Sequence, residues 1–392
     1  MAKYLDDEYE EERPRKKSSS GNKSTKRPSG KKSPGKTGKK VSSKKQQARK
    51  QRRRIIIFIV EIVILVIAVF VLYTVLTATK GGKMEIKEDD IIINETVKEA
   101  QETTMKGYRN IALFGVDSTS GALTKNTRSD SIMIASINQD TGECKLVSVY
   151  RDTYLNLSND SYNKCNAAYA KGGPEMAINM LNMNLDMNIT DFVTVGFAGL
   201  TDTVDALGGV WIDVDDAEIN HVNSYQQTMA EDLKRSYTPV SSTGYQLLNG
   251  LQATGYCRVR YTAGDDFKRT ERQREVLSAI ADQAKKASLS QLTATANSVF
   301  EETYTSLDLS EITQMLGDVN KYYISDKAGF PQETNRATGT IGSKGSCVIP
   351  VSLEDNVKWL HQFLFNDYDY EPSSTVKECS AKIYSDTNGY LK

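Results

Sequence analysis

Residues 110–150 read NIALFGVDSTSGALTKNTRSDSIMIASINQDTGECKLVSVY and contain three apolar runs of strand length. The runs cover residues 110–116, 131–138 and 145–150. Thr141 and Gly142 separate the second run from the third and favour a turn. The stretch therefore predicts central strands of a sheet, with the last two strands joined as a hairpin.

Downstream of this stretch, helical patterns alternate with strand-like runs. Pro174 opens a helical pattern whose apolar residues are Met176, Ile178, Met180, Leu181 and Leu185. Further strands are predicted at 192–197 and 210–214, helices at 200–206, 310–323 and 353–365, and a polar surface loop with local helix at 221–245. The alternation predicts an α/β fold, a layered α-β-α domain with a central mixed sheet.

The N-terminal residues 1–54 differ in composition from the rest of the chain. They hold 20 Lys and Arg but only 6 Asp and Glu, whereas the remaining residues hold 30 and 44. Large apolar side chains are scarce in this segment, so it cannot bury enough surface to offset its chain entropy. We expect a disordered basic tail.

Residues 55–78, IIIFIVEIVILVIAVFVLYTVLTA, predict one transmembrane helix before the folded domain. A helix of this length is about 36 Å long, which exceeds the hydrocarbon thickness of a bilayer. Arg52, Arg53 and Arg54 precede it, so the tail is expected in the cytoplasm and the C-terminal domain outside the cell, in a single-pass cell-membrane protein. A cleaved signal peptide is the competing interpretation, but this apolar run and the tail before it are too long for one.

The remaining boundaries follow from composition. Residues 79–104 predict an extracellular stalk with one helical stretch, 105–370 the folded domain, and 371–392 a polar C-terminal tail. The five cysteines all follow the predicted span, and their odd number and spacing indicate neither a disulfide framework nor a zinc site. A pair between Cys347 and Cys379 is the single disulfide we consider.

Two aspartates lie at strand ends where they could meet. Asp117 follows the first predicted strand, and Asp130 immediately precedes the second. Adjacent strands would bring both carboxylates to one edge of the sheet, and hard oxygen ligands of this kind suit Mg²⁺. The alternative is that each aspartate only caps a turn.

Arginines occur where a solvated surface is not expected. Arg151 and Asp152 end the third predicted strand, and Tyr256, Arg258 and Arg260 alternate in a strand-like run. Two guanidinium groups on one strand face would clamp a phosphate or a carboxylate. An exposed edge strand that charge keeps soluble is the alternative.

The segment 265–284, DDFKRTERQREVLSAIADQA, predicts a helix with an unusual buried face. Val276, Leu277, Ile280 and Ala284 form its apolar stripe, and the stripe continues towards the N-terminus through Arg269, Arg272 and Gln273. Inward polar groups at a helix N-terminus predict an anion site. The alternative is that the helix begins later and these residues form a loop.

Taken in order, the motifs resemble the LytR-CpsA-Psr family of cell-envelope proteins. The matching stretches are NIALFGVD (110–117), RSDSIM (128–133), SVYRDTY (148–154), NKCNAAYAKGG (163–173), TVDALGGV (203–210) and LNGLQATGYCRVRYTAGDDFKRTERQ (248–273). The resemblance spans about residues 105–370, and the ordered series is far more specific than any single motif.

The resemblance implies a membrane phosphotransferase that moves an anionic glycopolymer, of teichoic acid or capsule type, from a polyprenyl pyrophosphate carrier to peptidoglycan. By position, Asp117 and Asp130 would hold Mg²⁺, and Arg151, Asp152 and Asp117 would be catalytic. The residues that would grip the pyrophosphate are Arg128, Arg151, Arg258, Arg260, Arg269 and Gln273, with Asp266 supporting them. Phosphoryl transfer of this kind needs mainly positioning and charge neutralisation.

Two other functions compete with the transferase. One is an envelope-sensing regulatory membrane protein of the transcriptional attenuator type, without ligase activity. The other is a pyrophosphate hydrolase that uses the same arginines and metal. The basic tail shows no helix-turn-helix or aromatic reader, so we expect it to contact the inner leaflet and no specific nucleic acid.

Overall fold

The computed structural model describes residues 82–390, except 119–122, 125 and 263. The basic tail 1–54, the predicted span 55–78 and the first stalk residues 79–81 lie outside the described residues. Within the described part, every helix is too short or too polar to cross a bilayer.

The strands and helices alternate through most of the domain. The strands are β1 (Gly82–Lys83), β2 (Tyr108–Val116), β3 (Ser129–Asn138), β4 (Glu143–Val149), β5 (Tyr154–Asn156), β6 (Tyr162–Lys164), β7 (Asp191–Val195), β8 (Val210–Val214), β9 (Gly244–Leu248), β10 (Thr303–Thr305), β11 (Tyr323–Phe330), β12 (Arg336–Thr340) and β13 (Ser346–Pro350). The helices are α1 (Glu95–Gln101), α2 (Asn166–Leu185), α3 (Phe197–Ala206), α4 (Asp216–Asp232), α5 (Gly250–Arg258), α6 (Asp265–Ala284), α7 (Leu289–Val299), α8 (Leu309–Gly317), α9 (Leu353–Phe365) and α10 (Ser374–Thr387).

A seven-stranded mixed sheet forms the centre, in the order β1-β10-β7-β2-β3-β4-β11. Strands β3 and β4 form the predicted hairpin, and β2 is the other antiparallel neighbour of β3. Strands β7 and β11 run parallel to β2 and β4, respectively. Gly142 lies in the β3–β4 turn at φ +77°, and a Cβ there would collide with the Lys321 carbonyl oxygen. The predicted hairpin therefore requires glycine at this turn.

The main core covers one face of the sheet. Ala112, Phe114 and Val116 of β2 and Ile132 and Ile134 of β3 pack there against α2, α9 and α10. Because side chains alternate along a strand, Leu113 and Met133 point to the opposite face, where α6 packs. The layered α/β architecture with a central mixed sheet is thus the predicted one.

The predicted stalk and C-terminal tail are both more ordered than expected. Strand β1 pairs with β10, and Val97 and Ala100 of α1 are buried in the main core. Helix α10 lies inside the segment predicted as a polar tail, yet it buries Val376, Cys379 and Ile383 in the same core. These apolar residues recur at helical spacing, which is the signal that the overall polarity of the segment hides.

Two further segments correct the predicted secondary structure. The sequence predicts a surface loop with local helix at 221–245, but α4 occupies much of that tract and begins with a capping box formed by Asp215 and Glu218. The strand predicted through Tyr256, Arg258 and Arg260 is wrong, because α5 ends at Arg258 after a capping box at Asn249. In both cases the capping residues are the informative signal.

Smaller differences concern α2, α8 and the cysteines. Helix α2 begins at Asn166, before the predicted start, and Gly173 at φ +69° breaks it just before Pro174. Helix α8 ends at Gly317, short of the predicted limit. All five cysteines are buried free thiols, so Cys347 and Cys379 are not joined.

The buried His361 predicts a pH-dependent stability. Burial lowers its pKa to about 4, although Asp186 acts in the opposite direction. The unfolded chain therefore binds a proton that the folded chain excludes, so stability is lost as the pH falls from about 6.5 towards 4. Through this group, the free energy of urea unfolding should be about 2 kcal/mol lower at about pH 5 than at about pH 7.5, and His361→Gln should reduce the difference. An unchanged difference in His361→Gln would contradict this assignment.

Candidate active site

A cavity of about 330 Å³ lies between the second face of the sheet and α6. Its apolar part is formed by Leu113, Met133, Val193, Val195, Phe197, Leu200, Tyr225, Val276, Leu277 and Ile280. Its polar part is formed by Asp117, Asp130, Arg258, Arg260, Arg269 and Gln273. One continuous cavity therefore joins a charged end to an apolar interior.

Asp117 and Asp130 reach this cavity from the edge of the β2–β3 pair. Asp117 directly follows β2, and Asp130 lies at a register shift where Gly115 pairs with Ser131 but Val116 pairs with Ser129. Asp130 is thus the extra residue of a β-bulge, a feature that re-aims side chains next to functional sites. Both aspartates border the one cavity at this edge of the sheet.

The Asp130 carboxylate is the centre of an arginine cluster. Arg151 Nη1 donates to its Oδ1 at 2.7 Å, and Arg260 Nη2 donates to its Oδ2 at 3.1 Å. Arg269 Nη1 lies 3.8 Å from Oδ2, and Arg269 Nη2 donates to the Asp130 carbonyl oxygen at 3.2 Å. One carboxylate holds three guanidinium groups together.

Asp266 and Asp152 complete the network. Asp266, in the first turn of α6, lies 3.0 Å from Arg269 Nη2, 3.6 Å from Arg151 Nε and 4.0 Å from Arg260 Nε. Asp152 lies 3.7 Å from Arg151 Nε and 3.1 Å from Lys164 Nζ. Arg151 is therefore held from both sides, and Lys164 is a member that sequence reasoning missed.

Arg258 is held by a different interaction. Its guanidinium lies over the ring of Phe197, 4.3 Å from the ring centroid, and 5.1 Å from that of Tyr225. Among the described residues, it has no carboxylate within ion-pair distance. Stacking on aromatic faces orients the cation and leaves its charge for a ligand.

Several buried donors of the cluster lack a protein acceptor. Within the described part of the chain, Arg151 Nε, Arg258 Nη1 and Arg269 Nε make no hydrogen bond. Arg258 and Arg269 border the cavity, whereas Arg151 lies behind its lining, paired with Asp130. Buried polar atoms are nearly always hydrogen-bonded, so the free donors of Arg258 and Arg269 indicate an anionic ligand in the cavity.

The electrostatics keep both central arginines cationic at neutral pH. Burial lowers the pKa of Arg269 to about 10, with Asp266 opposing the shift. Burial also acts to lower the pKa of Arg151, but Asp130 and Asp266 outweigh it and the net shift is upward.

Not every predicted site residue reaches the cavity. Arg128 is exposed and does not border it. Arg151, Asp152 and Asp266 do not border it either, and they reach the site only through the ion-pair network. Tyr256 points away and donates to Glu275 Oε2 at 2.7 Å. Helix α2, which contains the predicted helical pattern 174–185, packs in the main core on the other face.

Arg272 has a structural role next to the site. It is fully buried, and its Nε pairs with Glu218 Oε1 at 2.6 Å. Its Nη1 and Nη2 donate to the Val259 carbonyl oxygen at 3.1 Å and to Thr262 Oγ1 at 2.7 Å. These bonds hold the Val259 backbone and the Thr262 side chain, on either side of Arg260, so Arg272 positions the segment that carries that arginine.

The carboxylates of the site can be compared with the ligands that the expected magnesium ion needs. Among the described residues, no group of three or more His, Cys, Asp or Glu side chains is arranged to hold a metal. Asp117 and Asp130 border one cavity, and Asp117 is exposed. Two carboxylates beside a phosphate site suit Mg²⁺, which usually completes its coordination with substrate oxygens and water. Both Asp130 oxygens already face guanidinium groups, so a bound ion would have to replace one of the contacts to Arg151 or Arg260.

Comparison with known proteins identifies related chains. The LytR_cpsA_psr family model matches residues 71–343, more than half of the chain. Biofilm regulatory protein A of Streptococcus mutans is 34% identical over 181 residues, which cover 44% of this chain and 43% of the relative. The polyisoprenyl-teichoic acid–peptidoglycan teichoic acid transferase TagV of Bacillus subtilis is 30% identical over 189 residues, 47% of this chain and 46% of TagV.

A solved structure supports the fold as well. Protein gbs0355 from Streptococcus agalactiae superposes with a TM-score of 0.57 at 26% identity, covering 74% of this chain and 97% of that one. The match to the two curated relatives spans somewhat less than half of their length.

The unpaired Arg258 predicts a measurable anion affinity. Arg258→Gln should weaken binding of inorganic pyrophosphate about tenfold or more, because a hydrogen bond to a charged group is lost. Isothermal titration calorimetry would measure it. Arg109→Gln is the matched control, since Arg109 pairs with Asp191 and Glu311 and does not border the cavity. Equal affinity in the two variants would contradict the assignment.

Proposed function

This chain belongs to the LytR_cpsA_psr family, and we propose that it is a membrane-anchored phosphotransferase acting on a polyprenyl pyrophosphate-linked glycopolymer. The polymer, of teichoic acid or capsule type, would be transferred to peptidoglycan. The observation that carries the proposal is the single cavity that joins an arginine cluster to an apolar interior.

The charged end suits a pyrophosphate. Arg151, Arg260 and Arg269 share the two carboxylates Asp130 and Asp266, which leaves one positive charge, and Arg258 adds another. Guanidinium groups bind phosphate oxygens through paired, charge-assisted hydrogen bonds. Asp152 and Lys164 keep Arg151 oriented towards the ligand.

The apolar interior suits the lipid of the carrier. Leu113 and Met133 line it from the sheet, and Leu277 and Ile280 line it from α6. A prenyl chain placed there would be shielded from water while its pyrophosphate remained at the arginines. A soluble sugar phosphate would leave this apolar surface uncovered.

The transfer needs no covalent enzyme intermediate. A hydroxyl of the acceptor attacks the phosphorus that carries the polymer, and the bond from that phosphorus to the bridging oxygen breaks. Polyprenyl phosphate leaves with the electron pair, and the arginines stabilise the charge that develops on it. The hydroxyl proton passes to a carboxylate that borders the cavity, for which the exposed Asp117 is the candidate, through the oxygen that a magnesium ion would leave free.

Asp117 and Asp130 are the residues that would hold magnesium. When bound, the ion would neutralise phosphate oxygens and polarise the phosphorus for attack. The residues 55–78, which lie outside the described residues, would anchor the domain at the outer face of the cell membrane, within reach of a carrier that stays in the bilayer.

The hydrolase alternative uses the same residues, because water and a sugar hydroxyl attack the same phosphorus. Only an assay with an acceptor separates these two reactions. The regulatory alternative depends on the basic tail 1–54, which lies outside the described residues.

Three substitutions test the transferase. Arg151→Ala, Arg258→Ala and Asp117→Ala should each lower polymer transfer to peptidoglycan by about a hundredfold or more. The arginine variants remove charge stabilisation at the phosphates, and Asp117→Ala removes the proton acceptor and a magnesium ligand. Transfer of lipid-linked polymer by the full chain, measured by labelled product on purified peptidoglycan, is the assay. Full activity in all three variants would exclude the proposal, and release of free polymer without labelled product would favour the hydrolase.

The apolar interior predicts selectivity for the lipid. Ile280→Trp should fill the cavity and weaken binding of a long-chain polyprenyl pyrophosphate, while inorganic pyrophosphate still binds, because the charged end is unchanged. Both affinities can be compared by calorimetry in detergent. Equal effects on the two ligands would mean that the prenyl chain lies elsewhere.

A further inference from the structure

A second concave surface lies against α6, on the face adjoining the one that borders the cavity. It is a groove of about 420 Å³ between α6 and the β8–β9 ribbon. The α6 residues along one line of the groove, continued just past the helix end, are Lys268, Glu275, Ala279, Asp282 and Lys286. Their spacing of seven, four, three and four residues follows one helix face. Arg269, Val276 and Ile280 of the cavity each lie one residue further, about 100° around the helix.

An aromatic platform forms one edge of this groove. Trp211 of β8 and Tyr245 of β9 are stacked, with ring centroids 5.3 Å apart and an interplanar angle of 24°. They are 42% and 70% exposed. Large aromatic side chains bury much apolar area when they bind a partner, so a stacked and exposed pair marks a contact surface.

The charges of the groove limit what it can bind. It contains five carboxylates and three ammonium groups. Glu218 is neutralised by Arg272, and Asp282 and Lys268 pair with Lys285 and Glu271 outside the groove. Three carboxylates then remain against two ammonium groups. A polyanion such as the phosphate-rich donor polymer would meet repulsion here, in contrast to the arginine-lined cavity.

An uncharged saccharide matches both features. A pyranose ring has an apolar face of C–H bonds, which can lie on an aromatic ring, and a rim of hydroxyl groups, which hydrogen-bond to carboxylates and ammonium groups. We propose that the groove binds a stretch of saccharide chain, and that this chain is the glycan strand of the acceptor. The second half of this inference rests on the proposed function, whereas saccharide binding does not.

The position of the groove supports the acceptor assignment. It begins at Lys268, which is next in sequence to Arg269 of the arginine cluster, and it follows α6 to Lys286. The helix rise makes this distance roughly 27 Å. A saccharide chain in the groove would therefore approach the pyrophosphate end of the cavity from outside, where an attacking hydroxyl is needed.

Tryptophan fluorescence tests saccharide binding directly. The chain contains two tryptophans, and the other one, Trp359, stacks on Phe363 in α9. In a Trp359→Phe background, Trp211 is the remaining tryptophan and reports on the groove. Titration of the full chain in detergent with an uncharged tetramer of N-acetylglucosamine should change its emission in a saturable way. An emission that does not respond overturns the proposal.

Matched variants locate the binding site. Tyr245→Ala in this background should weaken the tetramer about tenfold, because one ring of the platform is lost. Tyr368→Ala is the control, since Tyr368 is exposed to a similar extent as Tyr245 but does not border the groove. Equal affinity in both variants overturns the proposal. The proposal also fails if a free stem peptide, the peptide part of peptidoglycan, displaces the tetramer as well as a saccharide does.

The transfer assay separates this proposal from the proposed function. If the tetramer binds at Trp211 but the wild-type chain transfers no polymer, saccharide binding by the groove is supported and the proposed transferase function is wrong. If Tyr245→Ala transfers polymer at the wild-type rate at limiting peptidoglycan, the transferase stands and the groove is not the acceptor site. A raised KM for peptidoglycan with unchanged pyrophosphate affinity in Tyr245→Ala is the expected result.

Discussion

The contact of Asp130 with three arginines is the interaction on which the site depends. Two unit charges 4 Å apart interact by about 4 kcal/mol at an effective dielectric constant of 20, so Arg151, Arg260 and Arg269 could not gather without a carboxylate between them. The β-bulge that directs Asp130 into the cavity is therefore as important as the arginines themselves. The carboxylate also leaves the cluster with only a small excess of positive charge, which a pyrophosphate can take up.

Helix α6 connects this site with its surroundings, because its different faces make different contacts. One face packs Leu277 against the sheet, and the same side delivers Arg269 and Gln273 to the cavity. Arg272, one residue away from Gln273, is buried against Glu218 of α4 and holds Val259 and Thr262, which flank the segment of Arg260. A buried ion pair of this kind contributes little net stability, so its value here lies in holding one geometry.

The parts that could be predicted from the sequence are those whose signal is local. Strands β2, β3 and β4 and helix α6 have clear periodicity, and the positions of Asp117 and Asp130 at strand ends follow from them. The extent of α4 is hard to predict because its exposed surface is polar and because only two residues, Asp215 and Glu218, form the capping box that marks its start. The sequence prediction includes Arg258 in the site but assigns it to a strand. An alternation over only three residues fits a strand, and it fits equally well the last turn of a helix and the loop after it. The stacking of Arg258 on Phe197 and Tyr225 joins segments distant in sequence and has no local signal.

An anionic donor and an uncharged acceptor glycan need binding surfaces of different charge. In the proposed arrangement, these two surfaces lie on adjoining faces of α6. The cavity side of α6 supplies Arg269 and Gln273 to an anion. Its groove side supplies Glu275 and Asp282, between Lys268 and Lys286, and faces the aromatic platform on β8 and β9. An anionic polymer that left the cavity along the groove would be repelled, so it is directed away from the acceptor path. This separation would keep the polymer chain from occupying the position of the attacking hydroxyl, and it requires only that two faces of α6, about 100° apart, carry different side chains.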